Sequence, residues 1–239
     1  MLDSIINGFY QAFVYKDNYL YFVRGIGITL IVTLLSLMLG VVLGVAVAIV
    51  RSAHDLNTSG YINPVLRICN IICKIYLTVI RGTPTMVQLL IMWFVVFAGA
   101  RSSNGNLIKV AVLTFGINSG AYVAEIIRSG IMSIDRGQME AGRSLGLTYG
   151  MTMRSIIIPQ AFKNVLPALG NECITLLKET SIVTVIGLKD LTKGAMIVQS
   201  KTYQALVPFI VIALIYLAIV AIMVKVFGTI ERRMRASER

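Results

Sequence analysis

The chain is 239 residues long, 56 % hydrophobic and only 14 % charged, against roughly 45–50 % and about 25 % in soluble domains. Its mean hydropathy is +0.80. Its net charge of +11 comes from 22 Lys+Arg against 11 Asp+Glu. This excludes a disordered chain and argues against a soluble enzyme, which would expose apolar surface over much of its area. The basic residues fall mostly between and after apolar runs, so they read as anchors at an anionic membrane face rather than as a nucleic-acid surface.

The segment from Met1 to Tyr21 is aromatic and polar, as an interfacial segment is. Gly25 to Val50 carries no charge and lies between Arg24 and Arg51. It is long enough to span a bilayer as a helix, too long for a signal-peptide core, and lacks a small-residue cleavage site. Gly40 and Gly44 form a GxxxG pair within it, a close-packing face. An amphipathic stretch, Ile62 to Ile80, carries Arg67 and Lys74 among aliphatic residues and either lies along the interface or extends the next span. Gly82-Thr83-Pro84 interrupts it, because proline removes a helical hydrogen bond. The freed backbone there either makes a plain kink or lines a cavity.

Further uncharged runs lie between Arg81 and Arg101, from Val110 to Ala124, and from Thr202 to Val224. A weaker run over Ser155–Ile186 is broken by Lys163, Glu172, Lys178 and Glu179. The reading is an all-α membrane protein, one domain over 1–239. Its five transmembrane helices lie near 22–50, 64–100, 107–130, 155–180 and 202–228. Five spans put the termini on opposite sides. Arg232, Arg233, Arg235 and Arg239 place the C-terminus in the cytoplasm, with the short loop near Arg51 and the loop holding Arg128, Arg136, Arg143, Arg154 and Lys163. The N-terminus then faces outside. Lys189, Lys193 and Lys201 fall on an outer loop, against the charge bias.

The loop between spans three and four holds a short amphipathic helix near 135–147. Ser133 or Asp135 caps its start and Gly146 ends it in a left-handed turn. Met139, Gly142 and Leu145 share one face, and Gly142 admits a close neighbour. Glu140 and Arg143 lie toward another side. Cys69, Cys73 and Cys173, in apolar surroundings, read as small core residues. His54 is the one histidine, so no His-cluster metal site exists.

Glu140-Ala141-Gly142, Gly146, then Ile156-x-Ile158-Pro159 resembles the EAA motif of bacterial ABC importer permeases, whose strict form has Ala at the place of Gly142. The resemblance continues in Arg81-Gly-Thr-Pro-Thr-Met-Val-Gln88, Ala121-Tyr-Val-Ala-Glu125-Ile-Ile-Arg128, Gly137-Gln138, Asn171-Glu172 and Lys178-Glu179-Thr180-Ser181. All are similar to the polar-amino-acid branch, in the same order. It implies a type I importer-like fold in which the short helix, with Glu140, Ala141, Gly142 and Gly146, is a coupling helix docking on a cytoplasmic ATPase dimer. It also implies a second permease subunit, identical or paralogous, and an extracytoplasmic substrate-binding protein. No cofactor is expected on this chain. Mg-ATP belongs to the partner, since no Gly here is followed by Lys and GxxxxGK[ST] is absent. The chain is then a transport subunit and not an enzyme.

Ionisable residues within spans are candidate functional groups. Glu125 lies one turn from Arg128, as an intramembrane ion pair or a functional site. Lys178 and Glu179 read as solvated or paired residues at a span end. Glu172 has no basic residue at i±3 or i±4, so it needs a partner from another helix, a water-filled cavity or a ligand cation. With Asn171, Thr175 and Asn118 it forms the candidate substrate pathway. The alternative reading is packing. Two other function classes are weaker. An ion-gradient-driven transporter of a small polar solute would often show an internal repeat, and none is visible. A membrane-embedded enzyme would need a catalytic cluster.

Overall fold

The computed structural model describes residues 9–10, 13, 15–56, 62–100 and 103–236. Most of the segment Met1–Tyr21, the residues Arg101 and Arg239 and the side chain of Arg235 lie outside the described parts. After a 3-10 turn at Tyr15–Asp17, the helices are α1 (Tyr19–Asp55), α2 (Pro64–Gly82), α3 (Thr85–Ile91, continued by a π-helical turn Met92–Val96), α4 (Asn104–Met132) and α5 (Arg136–Ser144). They are followed by α6 (Tyr149–Thr152, continued by a π-helical turn Met153–Ile157), α7 (Ile158–Glu179, continued by a 3-10 stretch Thr180–Ile186), α8 (Leu191–Thr202) and α9 (Leu206–Ala236). Among the described residues there is no strand.

α1, α4 and α9 are long and apolar enough to cross a membrane, and α2 with α3 and its π-helical turn adds a fourth if the pair is one broken span. α7 has the length, 22 residues, but Lys163, Glu172, Lys178 and Glu179 hold its apolarity down. At 37 residues and about 1.5 Å of rise per residue, α1 exceeds the hydrocarbon thickness of about 30 Å. Arg24 and Arg51 therefore sit on the helix itself, and the loop expected near Arg51 begins only beyond Asp55. α2 starts at Asn63, whose side chain accepts from the Val65 N–H at 2.9 Å, with Pro64 at the first turn. It ends at Thr83, which is extended at φ −122 and ψ 144 before Pro84.

The helices assemble into two compact units, each drawn from three stretches of chain: Met1–Ser36, Thr85–Phe115 and Ile174–Met223 in one, Leu37–Pro84, Gly116–Cys173 and Val224–Arg239 in the other. In the first, Phe22, Leu191, Ala195, Val198, Val207, Val211 and Ile212 form the core. α1 and α8 meet through glycine. A Cβ on Gly25 would come 2.7 Å from the Leu191 Cα, and one on Gly194 2.8 Å from the Tyr21 carbonyl. In the second unit, Gly40 faces Ser119 and Gly44 faces Val123, so the GxxxG pair is the seam between α1 and α4. Gly120 answers from α4, where a Cβ would lie 2.9 Å from the Tyr76 hydroxyl and 3.0 Å from Leu43. The Tyr76 hydroxyl donates to the Ile117 carbonyl at 2.6 Å, pinning α2 to α4. Cys173 is buried, but Cys69 and Cys73 are only half-buried, because α2 turns much of its surface outward.

α8 was not anticipated; its stretch reads as an outer loop because its lysines mask its pattern. Its start is built on Asp190, whose carboxylate accepts from the Thr192 N–H at 3.1 Å and the Lys193 N–H at 2.9 Å. Asp190 is fully buried. Burial pushes its carboxyl up to about 6 from an ordinary 3.8, against the two backbone N–H groups that pull it down. The folded chain therefore holds this proton more tightly than the unfolded one. The resulting stability is complete below the unfolded pKa and is lost as pH rises through about 6. Asn caps as well as Asp and carries no charge. In thermal unfolding of the detergent-solubilised protein, the wild type is expected to lose a few degrees relative to Asp190→Asn between roughly pH 4 and pH 7. Parallel pH profiles would refute this account of the cap.

Candidate functional site

The short helix expected near 135–147 is α5, over Arg136–Ser144. The Asp135 carboxylate accepts from the Gly137 N–H at 2.7 Å and opens it. Its far end is a Schellman turn. The Leu147 N–H donates to the Gly142 carbonyl at 3.1 Å, and the Gly146 N–H to the Arg143 carbonyl at 3.0 Å, with Gly146 at φ +83. Ser133, the other capping candidate, instead donates to the Gly130 carbonyl at 2.8 Å and accepts from Asn164 at 3.1 Å. That bond ties the approach to α5 to α7.

Gly142 is the seat of the helix. A Cβ there would lie 2.6 Å from the Thr152 Cγ2 and 3.2 Å from the Ile156 Cδ1. Thr152 is itself buried, and its hydroxyl donates to the Thr148 carbonyl at 3.0 Å. The close neighbour at Gly142 is thus the chain's own α6, and not the partner surface expected there. Glu140, Ala141 and Arg143 are exposed on the other sides. Leu145, expected to share the face of Met139 and Gly142, is 82 % exposed, since the helix ends at Ser144 and the turn carries it off that face. Beside α5 runs a groove of about 780 Å³ whose walls include Leu56, Ile134, Met139, Tyr149 and Ile157, with Glu140 and Arg143 on its lining.

At the adjoining ends of α1 and α4 lies an ion-pair network. Arg128 holds Glu125 at 3.2 and 3.4 Å and Asp55 at 3.2 Å. Arg81 stands 3.9 Å from Glu125, and Arg51 3.9 Å from Asp55. Sequence spacing found Glu125 with Arg128. It missed Asp55, although Arg51 and Asp55 stand at i,i+4.

Glu172, on α7, has a partner on another helix, one of the three alternatives its sequence surroundings leave open. The Ser119 hydroxyl of α4 donates to its Oε1 at 2.7 Å. Ser119 is buried and wedged against Gly40. Asn118, next to it, is also buried, whereas Asn171 and Thr175 are exposed on α7. Ser119 escaped the sequence reading, because a lone serine in an apolar run carries no signal until the opposing helix is known.

Comparison with known proteins decides the family. Residues 40–236 match the family described as the binding-protein-dependent transport system inner membrane component. This chain belongs to that family. Among its relatives, the arginine transport system permease protein ArtQ of Bacillus subtilis is 44 % identical over 170 residues, covering 70 % of this chain and 76 % of that one. The glutamine transport system permease protein GlnP of Escherichia coli K12 is 37 % identical over 168 residues, covering 70 % and 77 %. In three dimensions, an amino acid ABC transporter crystallised with histidines matches at 43 % identity and a TM-score of 0.78, over 89 % of this chain and 94 % of that one. The inward-facing MetNI methionine ABC transporter shares the fold at 19 % identity and a TM-score of 0.73, over 92 % and 98 %. The chain is thus a multi-pass membrane permease subunit with a type I importer fold.

In this permease the methyl missing at Gly142 is matched by the methyl present on Thr152. Gly142→Ala is expected to overpack the α5–α6 contact, at about 1–3 kcal/mol. Removing the opposing methyl in Gly142→Ala/Thr152→Ser should recover most of the loss. Limited proteolysis between Ile134 and Gly150 in detergent reads both. Equal protection in the wild type and the Ala variant would mean that α5 is not seated through Gly142.

Proposed function

We propose that this chain is the membrane-spanning subunit of an ATP-driven importer that moves a polar amino acid inward by alternating access. The observation that carries this reading is α5, a short helix capped at both ends, seated on α6 through Gly142 and exposed at Glu140, Ala141 and Arg143. A separate cytoplasmic ATPase dimer grips this helix and carries Mg-ATP. A second permease subunit, identical or paralogous, completes the pathway, and an extracytoplasmic binding protein delivers the substrate. The N-terminus lies outside and the C-terminus in the cytoplasm, with five spans, α7 being the one whose polarity serves the path. The amino-acid class is supported by relatives named for arginine and glutamine.

Substrate passes along Asn118, Asn171, Glu172 and Thr175. Glu172, one hydrogen bond from Ser119, offers a carboxylate that an α-ammonium group matches. ATP-dependent uptake of labelled arginine and glutamine, in vesicles holding the permease with its co-encoded ATPase and binding protein, tests the reading. No uptake of any amino acid by the assembled complex would overturn it.

Two substitutions separate pathway from coupling. Glu172→Gln keeps an acceptor for the Ser119 hydroxyl and removes only the charge. Assembly should be intact while uptake falls about tenfold or more, the scale of a lost charged hydrogen bond. Uptake at the wild-type rate would return Glu172 to a packing role. Gly146→Asp meets nothing within 4 Å, so its cost is the left-handed backbone, about 1–2 kcal/mol. The subunit should still insert, but pull-down of the ATPase should weaken and uptake fail. Wild-type binding and uptake would remove α5 from the coupling role.

A further inference from the structure

A second cavity, of about 600 Å³, opens between α1, α2 and α4. Its lining includes Arg51, Lys74 and Arg81, with Glu125 as the acidic residue among them, and Tyr122. Glu125 is already held by Arg128 at 3.2 and 3.4 Å and stands 3.9 Å from Arg81. Arg51 donates to Asn70 at 2.8 Å and lies 3.9 Å from Asp55, which Arg128 also engages. The Arg51 Nε is buried without a hydrogen-bond partner. Lys74 makes no ion pair among the described residues, and the Arg81 guanidinium lies 5.4 Å from the centre of the Tyr122 ring. Three arginines thus share two carboxylates, and Lys74 adds a fourth cation beside them.

The flank of α2 turned away from this cavity is apolar. Val65, Ile68, Ile72, Ile75 and Val79 recur at helical spacing and are each more than half exposed. α2 therefore presents Lys74 and Arg81 to the open cavity and its aliphatic side chains to the opposite flank. A group that neutralises the cavity has to be anionic, and the surface beside it suits hydrocarbon. A zwitterionic amino acid fits poorly, because it brings an ammonium group with its one carboxylate. Basic pockets between membrane helices recognise anionic headgroups.

We propose that the Arg51–Lys74–Arg81 cavity binds the phosphate of an anionic phospholipid, whose acyl chains lie along the outer flank of α2. The inference rests on the membrane location of the chain and not on its substrate, so uptake plays no part in the test. The protein is extracted in mild detergent with its co-purifying subunits and offered equal phosphatidylglycerol and phosphatidylcholine. Retained lipid is counted by native mass spectrometry. Wild type is expected to retain phosphatidylglycerol in preference, and Lys74→Gln to retain it about fivefold less, the scale of one basic residue at an anionic surface. Lys74→Gln/Arg81→Gln should lose it further, and Lys74→Arg should keep it. Lys74 is exposed and its replacement leaves the Arg51–Asn70 bond in place, so the single variant remains readable if the double variant fails to assemble. Equal retention of the two lipids by wild type, or unchanged retention by Lys74→Gln, overturns the proposal. Displacement of phosphatidylglycerol by millimolar inorganic phosphate would assign the cavity to the free anion, and displacement by an amino acid would assign it to the transport path; either result overturns the lipid reading.

Discussion

The close approach of α1 and α4 is the contact on which the second unit depends. Lipid tails are as apolar as leucine, so helices in a bilayer gain little from merely burying aliphatic surface against each other. They gain from dispersion contacts and hydrogen bonds that need short distances. Gly40, Gly44 and Gly120 supply those distances. Once they are met, the other polar contacts fall into range. Ser119 is held against Gly40 and presented to Glu172. The Tyr76 hydroxyl reaches the Ile117 carbonyl. At the ends of the same two helices, Arg128 bridges Asp55 and Glu125. A larger residue at Gly44 would meet Val123 and separate all of these partners together.

How far the sequence discloses this arrangement depends on the range of the interaction. Local signals are legible. The Asp135 cap, the Gly146 turn, the break before Pro84, the Glu125–Arg128 pair and the GxxxG seam each depend on residues within about one helical turn. Contacts between distant segments are not. Ser119 and Glu172 are 53 residues apart, Arg128 and Asp55 73 apart. Nothing in either segment names the other. Glu172 is the informative intermediate, since the absence of a basic neighbour on its own helix showed that a partner had to come from elsewhere, without saying which. α8 was missed for another reason. Lys189, Lys193 and Lys201 made its stretch read as loop, while its start depends on Asp190, whose role as a cap is visible only when buried. Leu145 shows the limit of periodicity, because a face assignment fails one residue past the cap.

A helix that transmits force has to be stiff where it is gripped and firmly joined to what it moves. α5 meets both conditions through short-range chemistry. Its caps satisfy terminal backbone groups at each end, so fraying costs hydrogen bonds. Its seat is the Gly142–Thr152 contact, and Thr152 lies on α6, which runs through the π-helical turn Met153–Ile157 directly into α7. From Gly142 to Glu172 the connection is therefore one buried contact followed by helical backbone. Ser133 adds a second tie, through Asn164, to the same helix. A displacement applied at Glu140 would reach α7 without crossing a flexible loop. The π-helical turn and Pro167, which lies inside α7 and lacks a backbone N–H, are the compliant points on that route, because each leaves backbone hydrogen bonds out of the regular α-pattern. On the proposed coupling role, both points at which the α6–α7 route can bend, the π-helical turn and Pro167, lie between α5 and the residues Asn171, Glu172 and Thr175.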